Sequence, residues 1–306
     1  MKAATIKRYG GPEVIQIEEV SQPEPKAGQV RVRVHASTVT AGAVLARLGR
    51  HPDIKAFTPL MRLFFGVFHP RQPIIGYEFA GEIEALGEGV TDYCLGDRVF
   101  GTTTGLKQGS YAQYLCVPVA WKQGVLARLP EALTYEQGAG LPIGAMTAHD
   151  LLKKVKLDGC EVLVYGASGS VGTNMVQLAK YRGARVTAVC SEGNKGLIES
   201  LGADEVVDYK SEAYQSSCKT YDVVIDAVGK MSKGDRRRFQ KKGGKLISIA
   251  TPTKEGDQAL REMLNLVLSN DLEIVIDKVY PMKDIQLAHS YAEAGHKRGN
   301  VVIKII

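Results

Sequence analysis

Residues 162–172 read VLVYGASGSVG, an apolar run that ends in three glycines within seven positions. Such a run predicts a buried strand, and the glycines predict a turn in which side chains are not tolerated. That combination brings main-chain amides and the positive end of the following helix close to a phosphate. After the turn, Val171, Met175, Leu178 and Ala179 recur at helical spacing, and ARVTAV (184–189) supplies a second strand. In a dinucleotide-binding loop of this kind Gly166 permits the sharp turn, Gly169 the close approach and Gly172 the tight packing of helix on strand. Ala167, Ser168, Ser170 and Val171 make up the rest of the candidate loop.

The strand–helix alternation continues through NKGLIESLGA, EVVDY, DVVIDAVG and GKLISIA. Crossover connections of this type build a parallel sheet with helices on both faces. Residues 1 to about 120 have a different texture. QVRVRVHAS alternates over most of its length, and GYEFAGEIEALGEGV and LGDRVFG are glycine-punctuated β segments, so a mostly-β domain is expected there. The expected organisation is a mostly-β domain over 1–120, completed by 272–306 with its apolar NVVIKII, and a dinucleotide-binding α/β domain over 121–271.

Composition narrows the function classes. The chain has 306 residues, 44% hydrophobic and 24% charged, enough for two full cores. Its start, MKAATIKRYGGPEV, has no long apolar run and no stretch approaches a membrane span, so a cytoplasmic location and no membrane partner are expected. Cysteines at 94, 116, 160, 190 and 218 are odd in number and contain no Cys-x-x-Cys pair, which argues for reduced thiols and against a cysteine-rich zinc module. The net charge of +6 is dispersed except in DRRRFQKKGGK (235–245), read as a solvated helix face rather than a nucleic-acid patch.

The end of the second strand distinguishes the dinucleotides, because an acid there binds the ribose hydroxyls and repels a 2′-phosphate. Cys190 holds that position, followed by Ser191, Asn194 and Lys195, a set that favours NADPH over NADH, with Glu192 opposing. Tyr209, after the third strand, is placed to flank the adenosine end or to pack as a half-buried ring.

Seven stretches in order resemble the medium-chain dehydrogenase/reductases, in the zinc-independent, zeta-crystallin-like quinone oxidoreductase branch. They are GYEFAGEIEALGEGVTDYCLGDRVFG, GSYAQYL, LPIGAMTAHDLL, VLVYGASGSVGTNMVQLAKYRGARV, LGADEVVDY, YDVVIDAVG and AHSYAEAGHKRGNVVIKI. The resemblance implies a GroES-like catalytic domain, a Rossmann-type cofactor domain and a cleft between them, and it adds Thr147 to the cofactor residues. The three catalytic zinc positions of the alcohol dehydrogenases in this family fall on Thr40, Tyr77 and Ile143, and no cysteine lobe follows GDRV, so no zinc is expected at either site. Hydride transfer then suits quinones, enones and related electron-poor carbonyls, with Tyr77 as hydrogen-bond donor and Thr40 beside it.

The sequence also departs from that family. Relatives often carry asparagine and aspartate where Thr40 and Ala43 stand, and their phosphate-gripping lysine falls on Asn194, one step before Lys195. Only TPTKEGD separates GGKLISIA from the helix QALREMLNLVLSND, where relatives place one more strand, so the sheet is expected to lack its edge strand and with it the usual dimer seam, leaving a monomer or an atypical dimer. Two alternatives to a quinone or enone reductase stay open: an enoyl-thioester reductase, and a cofactor-binding protein with little catalysis that acts as a sensor or binds RNA. The apolar residues of 46–68, Phe57, Leu60, Met61, Phe64, Phe65 and Phe68, are read as core packing in preference to a lid.

Overall fold

A computed structural model describes residues 1–51, 56, 58–103, 109–120 and 124–306. It divides into two compact units, Met1–Pro142 with Ile276–Ile306, and Ile143–Val275.

The first unit opens with an antiparallel pair, β1 (Lys2–Ile6) and β2 (Ile15–Glu19). In β3 (Gln29–Thr38) Val30, Val32 and Val34 are buried and alternate with half-exposed Arg31 and Arg33, the period-two pattern of a strand with one wet face. Helices α1 (Ala41–Leu48) and α2 (Thr58–Phe65) follow. Then come β4 (Glu78–Leu86), β5 (Arg98–Thr102), β6 (Tyr114–Pro118), β7 (Val125–Arg128) and α3 (Tyr135–Gly140). Strand β4 lies antiparallel between β3 and β5, β5 also pairs with β7, and β6 pairs with β3. The chain stays in this unit beyond residue 120 because β7 pairs with β5 and α3 packs on β3 and β4.

The second unit takes in most of α4 (Pro142–Leu152), then β8 (Glu161–Tyr165), α5 (Ser170–Tyr181), β9 (Arg185–Cys190), α6 (Lys195–Ser200) and β10 (Glu205–Asp208). It continues through α7 (Glu212–Ser216), β11 (Tyr221–Asp226), α8 (Lys233–Phe239), β12 (Gln240–Ser248) and α9 (Asp257–Leu268). Its five strands are all parallel, in the order β10-β9-β8-β11-β12. Val162, Leu163 and Val164 of β8 are all buried, as expected of a central parallel strand covered on both faces. Strand order reverses on either side of β8, the place where α/β sheets leave a crevice at the strands' carboxyl ends. No strand lies between β12 and α9, so β12 is the edge, as the short TPTKEGD connection predicts.

The chain then returns to the first unit as β13 (Ile276–Pro281), α10 (Ile285–Glu293) and β14 (Asn300–Lys304). Strand β14 pairs antiparallel with β3 and parallel with β13.

Two sequence expectations change. DRRRFQKKGGK is not one solvated helix face: α8 ends at Phe239, which is buried, and β12 begins at Gln240. Three of its six basic residues are engaged in the fold, Arg236 with Asp226 at 2.9 Å, Arg238 with Asp235 at 2.7 Å and Lys241 with Asp222 at 2.9 Å, while Arg237, Lys242 and Lys245 are exposed. The second change concerns 46–68, where Phe57 lies outside the described residues. Met61 is buried and Phe65 half-buried, but Leu60, Leu63, Phe64 and Phe68 are exposed. An eight-residue helix that is apolar on two faces offers only one of them to the core.

Candidate active site

The glycine turn lies at the carboxyl end of β8. Gly166 has φ +78°, in the left-handed region, and its N–H donates to Val189 O at 2.9 Å, while Ala167 N–H donates to the same oxygen at 3.1 Å. A Cβ on Gly172 would stand 2.2 Å from Gly166 O, so the helix packs on the turn only without a side chain. Gly169 is different. A Cβ there meets nothing closer than 3.7 Å, so nothing within the fold demands glycine. Gly169 is also the N-cap of α5 and carries no side chain to cap it. A bare cap, empty space at Gly169 and a helix dipole aimed into it fit the pyrophosphate of a dinucleotide. Ser168, Ser170 and Val171 are half-buried around this cradle, and Ala167 is fully buried beneath it.

The parallel strands bring the other cofactor candidates to the same end of the sheet. Cys190, the last residue of β9, is buried, and desolvation, reinforced by Asp208 and Glu192, pushes its thiol up to about 11, so the position that an acid would occupy is neutral. Asn194 is buried and donates through Nδ2 to Ser191 Oγ at 3.0 Å, which turns its amide to shaping the loop. Lys195 is exposed and makes no ion pair among the described residues. Tyr209 is half-buried and its N–H donates to Cys190 O at 3.2 Å. Thr147 is half-buried on α4, one turn after Gly144, which packs against Ser170 and Asn174 closely enough that a Cβ would lie 2.6 Å from Ser170 Oγ.

Sequence reasoning missed two residues here. Lys210 is exposed beside Tyr209, its ammonium 5.7 Å from that ring, and adds a second cation at this end. Asp226, at the end of β11, is fully buried and accepts from the N–H groups of Gly229 at 2.8 Å, Met231 at 3.2 Å and Val228 at 3.3 Å, and from Arg236 at 2.9 Å. It thereby fixes the loop whose Val228 packs on the turn, with Cγ1 at 2.5 Å from where a Gly166 Cβ would be. The cue was an aspartate closing a buried strand before a Val-Gly turn. Asp226→Ala is expected to destabilise the second unit by about 3–5 kcal/mol in urea unfolding, because three amides and a guanidinium lose their acceptor.

In the first unit Tyr77 and Thr40 come together. The Tyr77 ring is buried against Gly42, where a Cβ would lie 3.2 Å from its Cε2, and Thr40 Oγ1 lies 3.7 Å from the same point. Thr40 caps α1 by accepting from Ala43 N–H at 3.1 Å, a bond that leaves its hydroxyl proton available. Burial raises the Tyr77 hydroxyl above the ordinary phenol range, and that hydroxyl makes no hydrogen bond among the described residues. Next to Tyr77, Glu78 is buried and accepts from the Thr38 hydroxyl. Lys297, whose Nζ donates to Gly299 O at 2.8 Å, is pushed down to about 8 by desolvation, against the opposing pull of Glu78 and Asp277. No cluster of three metal-ligating side chains exists among the described residues, and no helix among them is long and apolar enough to cross a membrane.

Comparison with known proteins settles the family. Residues 26–131 match the alcohol dehydrogenase GroES-like domain and residues 170–279 the zinc-binding dehydrogenase domain. The NADPH-dependent alkenal/one oxidoreductase of Arabidopsis thaliana chloroplasts is 31% identical over 99% of this chain and 79% of its own length. The chain belongs to the medium-chain dehydrogenase/reductases. Within that family it stands in the quinone oxidoreductase branch. A chloroplastic quinone-oxidoreductase homolog of Spinacia oleracea is 30% identical over 99% of the chain and 98% of its own length. The quinone oxidoreductase of Coxiella burnetii superimposes with a TM-score of 0.82 at 25% identity, over 100% of this chain and 99% of that one. A GroES-like fold and a Rossmann-like parallel sheet are therefore this medium-chain reductase's two units.

Proposed function

We propose that this medium-chain reductase uses NADPH to reduce quinones, enones and related electron-poor carbonyls, and that it works without zinc. The observation that carries the reading is the cradle at Gly169, built to take a pyrophosphate on a chain whose relatives are named for NADPH, alkenals and quinones. Gly166, Gly169 and Gly172 shape the phosphate turn, and the amides at the start of α5 bind the phosphates. Ser191, Lys195 and Lys210 hold the 2′-phosphate, and Tyr209 flanks the adenosine. When bound, NADPH supplies the hydride.

The first unit supplies the acceptor side. Tyr77, kept protonated by burial, donates its hydroxyl hydrogen to an oxygen that gains negative charge, and Thr40 adds a second donor beside it. The three sequence positions that hold the catalytic zinc in the family's alcohol dehydrogenases carry a hydroxyl, a phenol and the alkyl side chain of Ile143, which do not make a competent ligand set. Activation therefore rests on hydrogen bonding and orientation, which is sufficient for acceptors that are already electron-poor.

The test is a reduced-nicotinamide fluorescence titration with NADPH and NADH, followed by NADPH oxidation with 9,10-phenanthrenequinone in the presence of a chelator. The expected result is NADPH bound about tenfold tighter than NADH, quinone-dependent turnover that the chelator leaves intact, and a preference that collapses in Lys195→Ala/Lys210→Ala. Failure of both nucleotides to bind, or turnover lost to the chelator and restored by zinc, would overturn the reading.

A further inference from the structure

The outer face of α2 has no role in the reductase reading. Leu60, Leu63, Phe64 and Val67 follow each other at i, i+3, i+4 and i+7, the spacing of one stripe on a helix and the turn after it. They are 43%, 60%, 53% and 52% exposed, and Phe68, just beyond, is 89% exposed. The opposite side of α2 already holds the unit through buried Met61 and half-buried Phe65. Exposed apolar side chains scattered singly need no account, but five within nine positions form a patch of the kind soluble surfaces avoid.

The described charged residues of the segment that carries this patch have one sign. Arg50 and Arg71 are exposed and make no ion pair among the described residues. Arg62 is half-exposed, lies over the Tyr9 ring at 3.9 Å and donates to Gly49 O and Val67 O, so its positive charge is pinned at the root of the stripe without an acidic partner among the described residues. The single acidic residue between 41 and 77 is Asp53, outside the described residues. Behind Phe64 and Phe65 a cavity of about 140 Å³ is walled by Ile6, Ala46 and Ile75, with Arg71 also in its lining, so apolar volume and guanidinium occur side by side.

We infer that this face docks on an anionic lipid surface, with α2 lying in the interface and Leu63, Phe64, Val67 and Phe68 inserted among the acyl chains. A helix lying in the interface is a different arrangement from a spanning one and needs neither length nor an uncharged run. The arginines supply the attraction to acidic headgroups, and the aromatic and aliphatic stripe supplies the burial. A second copy of the chain fits the patch less well, since its own face brings further arginines and no described carboxylate to meet them. The inference is independent of the reductase reading, because it uses neither the cofactor turn nor Tyr77.

The experiment is co-sedimentation of the full chain, without nucleotide, with phosphatidylcholine vesicles and with vesicles containing about 30% phosphatidylserine. Binding is expected only to the phosphatidylserine vesicles and is expected to weaken with salt. Leu63→Ser/Phe64→Ser/Phe68→Ser and, separately, Arg71→Glu should each lower partitioning about tenfold or more. All three apolar positions and Arg71 are exposed, and circular dichroism melts coincident with the parent's would show both variants folded. No phosphatidylserine-dependent binding by the parent protein overturns the inference. So does a dimer in light scattering that the triple variant converts to monomer with no change in vesicle binding, which would assign the face to a second copy.

Discussion

Gly169→Ala is expected to leave the protein as stable as its parent while weakening NADPH binding about ten- to a hundredfold, and Gly172→Ala is expected to damage both. At Gly169 the backbone has φ −77° and ψ 171°, open to any residue, and a Cβ finds no atom closer than 3.7 Å. Stability should therefore move by no more than about 0.5 kcal/mol. What the new methyl group occupies is the approach of a phosphate to the start of α5. Losing one or two charge-assisted hydrogen bonds there costs about 1.5–3 kcal/mol, and each 1.4 kcal/mol is about tenfold in affinity. At Gly172 the same methyl group would lie 2.2 Å from Gly166 O and 2.8 Å from Ala167 O, both backbone, so α5 must move off the turn. That overpacking costs about 1–3 kcal/mol of stability, with NADPH affinity lost by at least a hundredfold as the amides shift. Urea unfolding and fluorescence titration of the two variants separate a glycine kept for a ligand from one kept for packing. Equal stability and equal affinity in Gly169→Ala would remove the cradle from the reductase reading.

The contrast between these two glycines also shows what was legible in the sequence. The turn, its flanking strand and helix and the parallel order of the sheet follow from local patterns, because an apolar run with glycines and a 3.6-residue repeat report burial and backbone geometry directly. The missing edge strand was legible too, as a connection too short to hold one. Asp226 was not, since an aspartate at a strand end gains its role from three amides that only the folded loop assembles around it. Nor was the bond that Asn194 makes beside that strand end, its amide donating to the Ser191 hydroxyl. The apolar segment 58–68 misled for a different reason. Hydrophobicity in sequence does not say which of two helix faces finds the core, and here much of it remains outside.

Acidification should destabilise the first unit through a histidine that has no part in the proposed chemistry. Arg47 on α1 is fully buried, pairs with Glu293, and donates from Nε to Nδ1 of His289 on α10 at 3.4 Å. The His289 ring lies edge-on to Tyr111 with centroids 5.7 Å apart. Desolvation and the Arg47 charge both disfavour the imidazolium and push His289 from 6.5 down to about 3. Between those two values the unfolded chain takes up a proton that the native state refuses. The stability held above pH 6.5 is therefore lost as the pH falls, at up to about 1.4 kcal/mol per pH unit. Over pH 6.5 to 5, before most carboxylates titrate, this amounts to about 2 kcal/mol. His289→Gln keeps a hydrogen-bonding side chain of similar reach and removes this titration, so its urea midpoint should fall much less than the parent's across the window, the remaining slope coming from His35 and His149, whose protonation burial also disfavours. The variant is expected to start less stable at pH 7.5, since the ring's packing on Tyr111 is lost, and to converge on the parent by pH 5. Parallel pH profiles for the two proteins would mean that His289 binds its proton in the native state as readily as in the unfolded one, and that Arg47 does not exclude it.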